Sequence, residues 1–236
     1  MANDKVLLIT GASSGIGAQM ARRAAEAGYR LVLGARREEP LVALAAELGG
    51  EERALAVRSD VTDWDDAQEL ARTATERFGR LDAVAANAGF GAQRGFLEES
   101  PEHWRSMILT NVLGVALTIR ATLPILLEAK AGHYVITGSV AGRRALPGSL
   151  YSSTKWAVSG MAESLRQELR QIHENNSIRV TLIAPGMVDT DFFENRPGTD
   201  RALADDDIAR AALWALEQPD GVDVNEILIR PSAQAT

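Results

Sequence analysis

The stretch Thr10-Gly11-Ala12-Ser13-Ser14-Gly15-Ile16-Gly17 follows the apolar run Lys5-Val6-Leu7-Leu8-Ile9 and leads into the alanine-rich residues 18–27. The short apolar run reads as a buried strand and the alanine-rich stretch as a helix. Few local arrangements join the two so closely. Glycines let the backbone turn sharply and bring main-chain N–H groups, unshielded by a Cβ, within reach of a ligand. The helix start adds unpaired N–H donors and the positive end of its dipole, so the turn predicts a bound pyrophosphate. Three glycines at this spacing arise by chance in roughly one chain in twelve of this length. The order Gly-x-x-x-Gly-x-Gly also departs from the Gly-x-Gly-x-x-Gly fingerprint, so the flanking strand and helix carry most of the weight.

Beyond the turn, strand patterns over 29–35, 53–59, 81–86, 133–138, 178–184 and 225–229 alternate with helix patterns over 38–48, 63–78, 101–130, 151–173 and 205–217. Strands that are each followed by a helix imply right-handed crossovers, and hence one parallel sheet with helices on both faces. The predicted fold is an α/β, doubly wound Rossmann domain. Pro124 falls inside the 101–130 pattern and is expected to disturb that helix. The 236 residues, 46% of them apolar, suit a single domain over 1–236, and no composition shift, repeat or low-complexity run marks a linker.

A net charge of −7 disfavours a nucleic-acid or anionic-membrane surface, because both need a basic footprint. With no cysteine, disulfides, thiolate catalysis and Cys-ligated zinc are excluded. The first strand starts too early to leave room for a secretion leader. The longest apolar stretch, 107–127, is interrupted by Thr110, Asn111, Arg120 and Pro124, so no transmembrane helix is expected and a cytoplasmic location is. His103, His133 and His173 lie at element ends without ligand spacing. Surface roles are expected for them, and no metal site. Asp205, Asp206 and Asp207 suit a helix N-terminus.

In doubly wound sheets ligands bind beyond the carboxyl ends of the strands. Where a site for NAD(H) would carry an acid after the second strand, this chain has Gly34-Ala35-Arg36-Arg37. Guanidinium groups there suit a 2′-phosphate and favour NADP(H) over NAD(H), unless both pair with Glu38 and Glu39. Asp60 ends the third strand, where it can accept from an adenine amino group; the alternative, a helix cap, already falls to Asp63. Asn87-Ala88-Gly89 ends the fourth strand, with Asn87 suited to tie neighbouring strands and Gly89 to let a ribose approach. Ser139 follows the 133–138 strand. Tyr151 and Lys155, four apart, share one helix face about 6 Å apart along its axis.

Together these motifs resemble the short-chain dehydrogenase/reductase family over essentially the whole chain. The resemblance rests on Thr10-Gly11-x3-Gly15-x-Gly17, Asp60, Asn87-Ala88-Gly89, Asn111, Ser139, Tyr151, Lys155 and Pro185-Gly186 with Thr190, in the family's order and near its spacing. It implies hydride exchange between NADP(H) and a small carbonyl or alcohol. Tyr151 would act as proton donor or acceptor, Ser139 would hydrogen-bond the substrate oxygen, Lys155 would lower the phenol pKa and hold the ribose, and Asn111 would anchor a water leading to Lys155. Gly11, Ser13, Ser14, Gly15, Ile16, Gly17, Val61 and Ala88 join the implied cofactor footprint. So do Pro185, Gly186, Val188 and Thr190, the last two gripping the carboxamide.

By the same resemblance residues 191–203 form a short substrate lid. Phe192, Phe193, Glu194, Asn195 and Arg196 face Phe90, Arg143, Arg144 and Leu146 across the pocket, with Met187 beside them. For Arg143, Arg144 and Arg196 solvated surface positions are the alternative to meeting a substrate carboxylate. The ending 225–231 lacks a glycine pair and is similar to the branch of NADP(H)-dependent hydroxy-acid dehydrogenases and clavulanic aldehyde reductase. The family also implies a homotetramer, or a dimer, through the two long helices, with Trp156, Met161 and Leu165 serving that contact or the core. A catalytically silent NADP(H)-binding regulator is the alternative, though one that does not need Asn111, Ser139, Tyr151 and Lys155 together.

Overall fold

The computed structural model describes residues 4–91, 95–190 and 201–234. Its strands are β1 (Val6–Thr10), β2 (Arg30–Ala35), β3 (Ala54–Arg58), β4 (Ala83–Ala86), β5 (Gly132–Thr137), β6 (Ile178–Pro185) and β7 (Glu226–Ile229). The helices are α1 (Gly15–Glu26), α2 (Glu38–Glu47), α3 (Trp64–Phe78), α4 (Pro101–Ile108), α5 (Gly114–Ala129), α6 (Leu150–Gln171) and α7 (Asp205–Leu216). The strands form one parallel sheet in the order β3-β2-β1-β4-β5-β6-β7. The doubly wound α/β fold expected from the alternation is the fold observed.

Successive strand residues point to opposite faces, so strands buried on both sides read as continuous apolar runs. In β1, Leu7 and Ile9 join a core with Met20 and Ala24 of α1, Leu41 and Leu44 of α2 and Ile208 and Leu213 of α7. Val6 and Leu8 point the other way, into a core with Leu70 of α3, Val115, Ile119 and Leu126 of α5 and Val158, Leu165 and Leu169 of α6. Each such aliphatic side chain contributes roughly 1.5–3 kcal/mol by leaving water. The strand order reverses direction between β1 and β4, the point beside which such sheets form their ligand crevice.

The irregularity expected at Pro124 occurs elsewhere. Pro124 lies inside α5, and Arg120, whose carbonyl it leaves without an amide partner, is exposed, so water can take that place. The helical run instead widens into a π turn at Leu109–Leu113, which puts the buried polar residues Thr110 and Asn111 on its inner side. Residues 101–129 are long and apolar enough to cross a bilayer by length and composition. Thr118 and Thr122 of this run are buried and donate back to Gly114 O and Thr118 O.

His133 corrects another expectation, because it is buried rather than on the surface. Thr181 Oγ1 donates to Val224 O at 2.6 Å and so accepts from His133 Nε2 at 2.8 Å, while Nδ1 has no partner. The side chain is therefore a neutral imidazole. Leu165 and Met161 pack in or against the core, whereas Trp156 is exposed.

Candidate active site

The crevice begins at the glycine turn. Gly11 has a φ of 67°, and a Cβ there would stand 2.8 Å from Ala88 Cα. A Cβ on Gly17 would stand 2.3 Å from Gly11 O, so only glycine lets α1 close onto the end of β1. Ser14 is the N-cap of α1 in extended geometry and makes no side-chain cap bond, which leaves first-turn N–H groups for an anion. Asn87 ties three strand ends together: Nδ2 donates to Thr10 O and Gly11 O, and Oδ1 accepts from Thr137 Oγ1 at 3.0 Å. Ala88 N donates to Thr10 Oγ1, and Gly89 is left exposed as an open floor.

Arg37 does not pair with Glu38 or Glu39. Its guanidinium donates to Ser13 Oγ at 3.1 Å and Ser14 Oγ at 2.6 Å, bringing charge and two hydroxyls together at the rim of the turn, beside the exposed Arg36. Asp60 turns back on its own chain, Oδ1 accepting from Thr62 N and Oγ1, with Val61 between them. On the far side Pro185 ends β6, Gly186 N donates to Ile229 O, and Val188 is bridged to Leu203. Thr190 is buried, its methyl carbon 3.3 Å from where a Cβ on Gly15 would be. That carries the segment after β6 across to the start of α1, with Ile16 packed against the core behind it.

Ser139, Tyr151 and Lys155 meet beside this floor. Ser149 caps α6 by accepting from Ser152 N, which sets Tyr151 in the first turn and Lys155 one turn further on. Ser139 starts the 3₁₀ turn Val140–Gly142, and a Cβ on Gly142 would fall 2.5 Å from Lys155 O, so the turn is seated directly on α6. The Ser139 hydroxyl stands close enough to the Tyr151 phenol to favour its ionisation. Lys155 Nζ donates to Thr137 O at 2.9 Å and lies 5.7 Å from the centre of the Tyr151 ring.

Burial governs the electrostatics of the protein alone. Desolvation pushes Tyr151 up to about 12, only partly opposed by the Ser139 hydroxyl, and brings Lys155 down to about 8. The expectation that the Lys155 ammonium lowers the phenol pKa thus meets an opposing effect, since both groups lose water on entering the fold. Among the described residues Lys155 donates to a carbonyl and to no carboxylate, which leaves donor capacity for ribose hydroxyls. This, the glycine clearance and the uncapped helix start fit a dinucleotide.

Asn111 reaches from the π turn to the chain after β4. Its Oδ1 accepts from Phe90 N at 3.0 Å, and its Nδ2 donates to Phe90 O at 2.8 Å and Thr154 Oγ1 at 3.2 Å. The side chain thus links that segment to α6. Thr154, buried between Tyr151 and Lys155, had no signal in the sequence that set it apart from any helix residue.

Phe90 is half-buried, Leu146 N donates to Ser152 Oγ, and Met187 N donates to Gln234 Oε1. Arg143 is exposed, as in the alternative left open for it. It ion-pairs with Glu226 of β7 at 2.7 Å and donates to Gly142 O, because a carboxylate on the neighbouring edge strand lies within its reach. Phe192, Phe193, Glu194, Asn195 and Arg196 lie outside the described residues. Among the described residues no group of three or more acidic or histidine side chains is gathered to hold a metal.

A family model described as short chain dehydrogenase matches residues 5–200. An uncharacterised oxidoreductase of Staphylococcus saprophyticus is 38% identical over 243 residues, covering 98% of each chain. The crystal structure of an alcohol dehydrogenase from Thermococcus sibiricus, complexed with 5-hydroxy-NADP, superposes with a TM-score of 0.87 at 36% identity and 99% coverage of both chains. A short-chain dehydrogenase/reductase from Burkholderia phymatum, solved with NAD, superposes with a TM-score of 0.84 at 30% identity, covering 95% of this chain and 88% of that one.

Proposed function

Because the chain belongs to the short-chain dehydrogenase family of oxidoreductases, we propose that it interconverts a small carbonyl compound and its alcohol with NADP(H), using Tyr151 as acid and base. The observation that carries this reading is the ledge on which Lys155 Nζ lies 5.7 Å from the Tyr151 ring, with the Ser139 hydroxyl beside the phenol. When bound, the nicotinamide supplies or accepts the hydride. Everything else falls to the side chains.

Ser139 and Tyr151 offer two hydroxyls to one substrate oxygen, stabilising the charge that develops there. Tyr151 gives its proton to that oxygen in reduction and takes it back in oxidation. A phenol raised to about 12 is almost wholly protonated near neutrality, so the Lys155 ammonium is needed to favour phenolate. Asn111 supports the ledge by fixing Phe90 and Thr154. Phe90, Leu146 and Met187 would line the substrate side.

The preference for NADP(H) is supported by Arg36 and Arg37 beside Ser13 and Ser14, since a 2′-phosphate can accept charge-assisted hydrogen bonds from all four. Gly11, Gly15, Ile16 and Gly17 would hold the pyrophosphate, and Asp60, Val61, Asn87, Ala88 and Gly89 the adenosine side. Pro185, Gly186, Val188 and Thr190 would hold the carboxamide. The ending of the chain supports the hydroxy-acid and aldehyde-reducing branch. Exposed Ile108, Leu109, Leu113 and Trp156, on packed helical segments, support assembly with further copies into a dimer or tetramer of single-domain chains in the cytoplasm.

The test is a panel of aldehydes, β-keto acids and secondary alcohols with NADPH or NADP⁺, followed by nucleotide absorbance. Turnover of a carbonyl is the expected result. Tight NADPH binding with no turnover of any member would leave the silent binding protein as the better description.

A further inference from the structure

The segment after β4 is held from two sides. On one side Asn111 of the π turn engages both the N–H and the C=O of Phe90. On the other stands His103, in the first turn of α4. Its Nε2 lies 3.2 Å from Gly91 O, and because a carbonyl only accepts, that nitrogen carries the proton. The Phe90 ring meets the imidazole edge to face, with centroids 5.3 Å apart and planes at 82°. Glu99, mostly buried, brings a carboxylate oxygen to 3.7 Å from the same Nε2. The root of the imidazole is fixed as well, since Ser100 caps α4 by accepting from His103 N at 3.1 Å.

Asn111 secures the main chain of Phe90. By donating to Gly91 O, His103 fixes the residue that follows Phe90, and with it the direction in which the Phe90 ring leaves the chain. A Cβ on Gly89, just before Phe90, would stand 3.0 Å from Asn111 Oδ1 and 3.6 Å from Lys155 Nζ, so a shift in this segment is felt at the ledge.

We propose that His103 is a positioning residue that sets where the Phe90 ring stands on the substrate side of the ledge, and through it which carbonyl substrates fit. The proposal rests on the reading of Phe90 as pocket wall given above. A substrate large enough to touch the ring feels a displaced wall, and a small one does not.

Two variants separate the contacts: His103→Phe keeps an aromatic ring but removes the donor to Gly91 O, and His103→Gln keeps a donor of similar reach. With saturating NADPH, His103→Phe should raise KM for an aryl aldehyde about tenfold while kcat and KM for a short aliphatic aldehyde change by less than about twofold. His103→Gln should restore most of the loss. Equal changes for both aldehydes, or no rescue by glutamine, would overturn the proposal.

Hydrogen exchange gives a readout independent of turnover. The Phe90 amide should exchange faster in His103→Phe than in wild type, with the later amides of α4 unchanged; an unaltered Phe90 amide also overturns the proposal. If wild type turns over no carbonyl, the functional reading fails, and exchange alone decides whether His103 holds the segment.

Discussion

Lys155 Nζ donates to the carbonyl of Thr137, the last residue of β5, at 2.9 Å. This contact places an ammonium inside the fold with a dipole, not a counter-charge, as its hydrogen-bond partner, and its pKa falls to about 8. The unfolded chain, with its lysine near 10.5, therefore holds more protons between pH 8 and 10.5 than the folded one. Stability from this group should rise with pH across that window, by at most about 3 kcal/mol. Urea unfolding of wild type and Lys155→Met should diverge in pH slope there, which separates the lysine from tyrosines titrating in the opposite sense. Parallel slopes would contradict the burial argument.

Tyr151→Phe removes the hydroxyl proposed as proton donor and leaves the ring. Turnover should fall more than about a thousandfold, equivalent to roughly 4 kcal/mol of lost transition-state stabilisation. NADPH affinity, measured by fluorescence titration, should stay within about threefold. Residual activity above a thousandth of wild type would remove Tyr151 from the acid–base role.

Arg37 sits on the two serine hydroxyls of the glycine turn, so its charge is presented where a 2′-phosphate would lie. Arg37→Ala should raise KM for NADPH by about ten- to a hundredfold and leave KM for NADH nearly unchanged. Arg36→Asp should weaken NADPH further by adding repulsion. A ratio of the two KM values that both substitutions leave unchanged would mean neither arginine reads the phosphate.

His133 makes the protein sensitive to acid. Burial, with the nearby charges of Arg179 and Lys5, lowers its pKa to about 3, and Nδ1 has no acceptor for a second proton. An unfolded histidine binds its proton near 6.5, so the stability it contributes is complete above that pH and is lost as pH falls toward 3. The loss amounts to as much as about 5 kcal/mol. His133→Phe should flatten the fall in melting temperature between pH 6.5 and 4. A curve as steep as that of wild type would argue against a neutral buried imidazole.

Much of the molecule is legible in the amino-acid order because the information is local. Val6, Leu7, Leu8 and Ile9 are apolar on both faces of a strand, and that pattern alone requires helices on either side. Gly11 and Gly17 mark the turn because no other residue fits their backbone clearances, and Tyr151 and Lys155 share a face by helical geometry. The tertiary structure decided what depends on a partner distant in sequence. Arg143 meets Glu226, 83 residues away, and His133 is buried against Thr181, 48 away. Asn111 finds Phe90 only because the helix widens at Leu109–Leu113 rather than bending at Pro124. Periodicity records which side of an element faces inward. The group waiting there is set by how separate elements pack, and no stretch of sequence contains that.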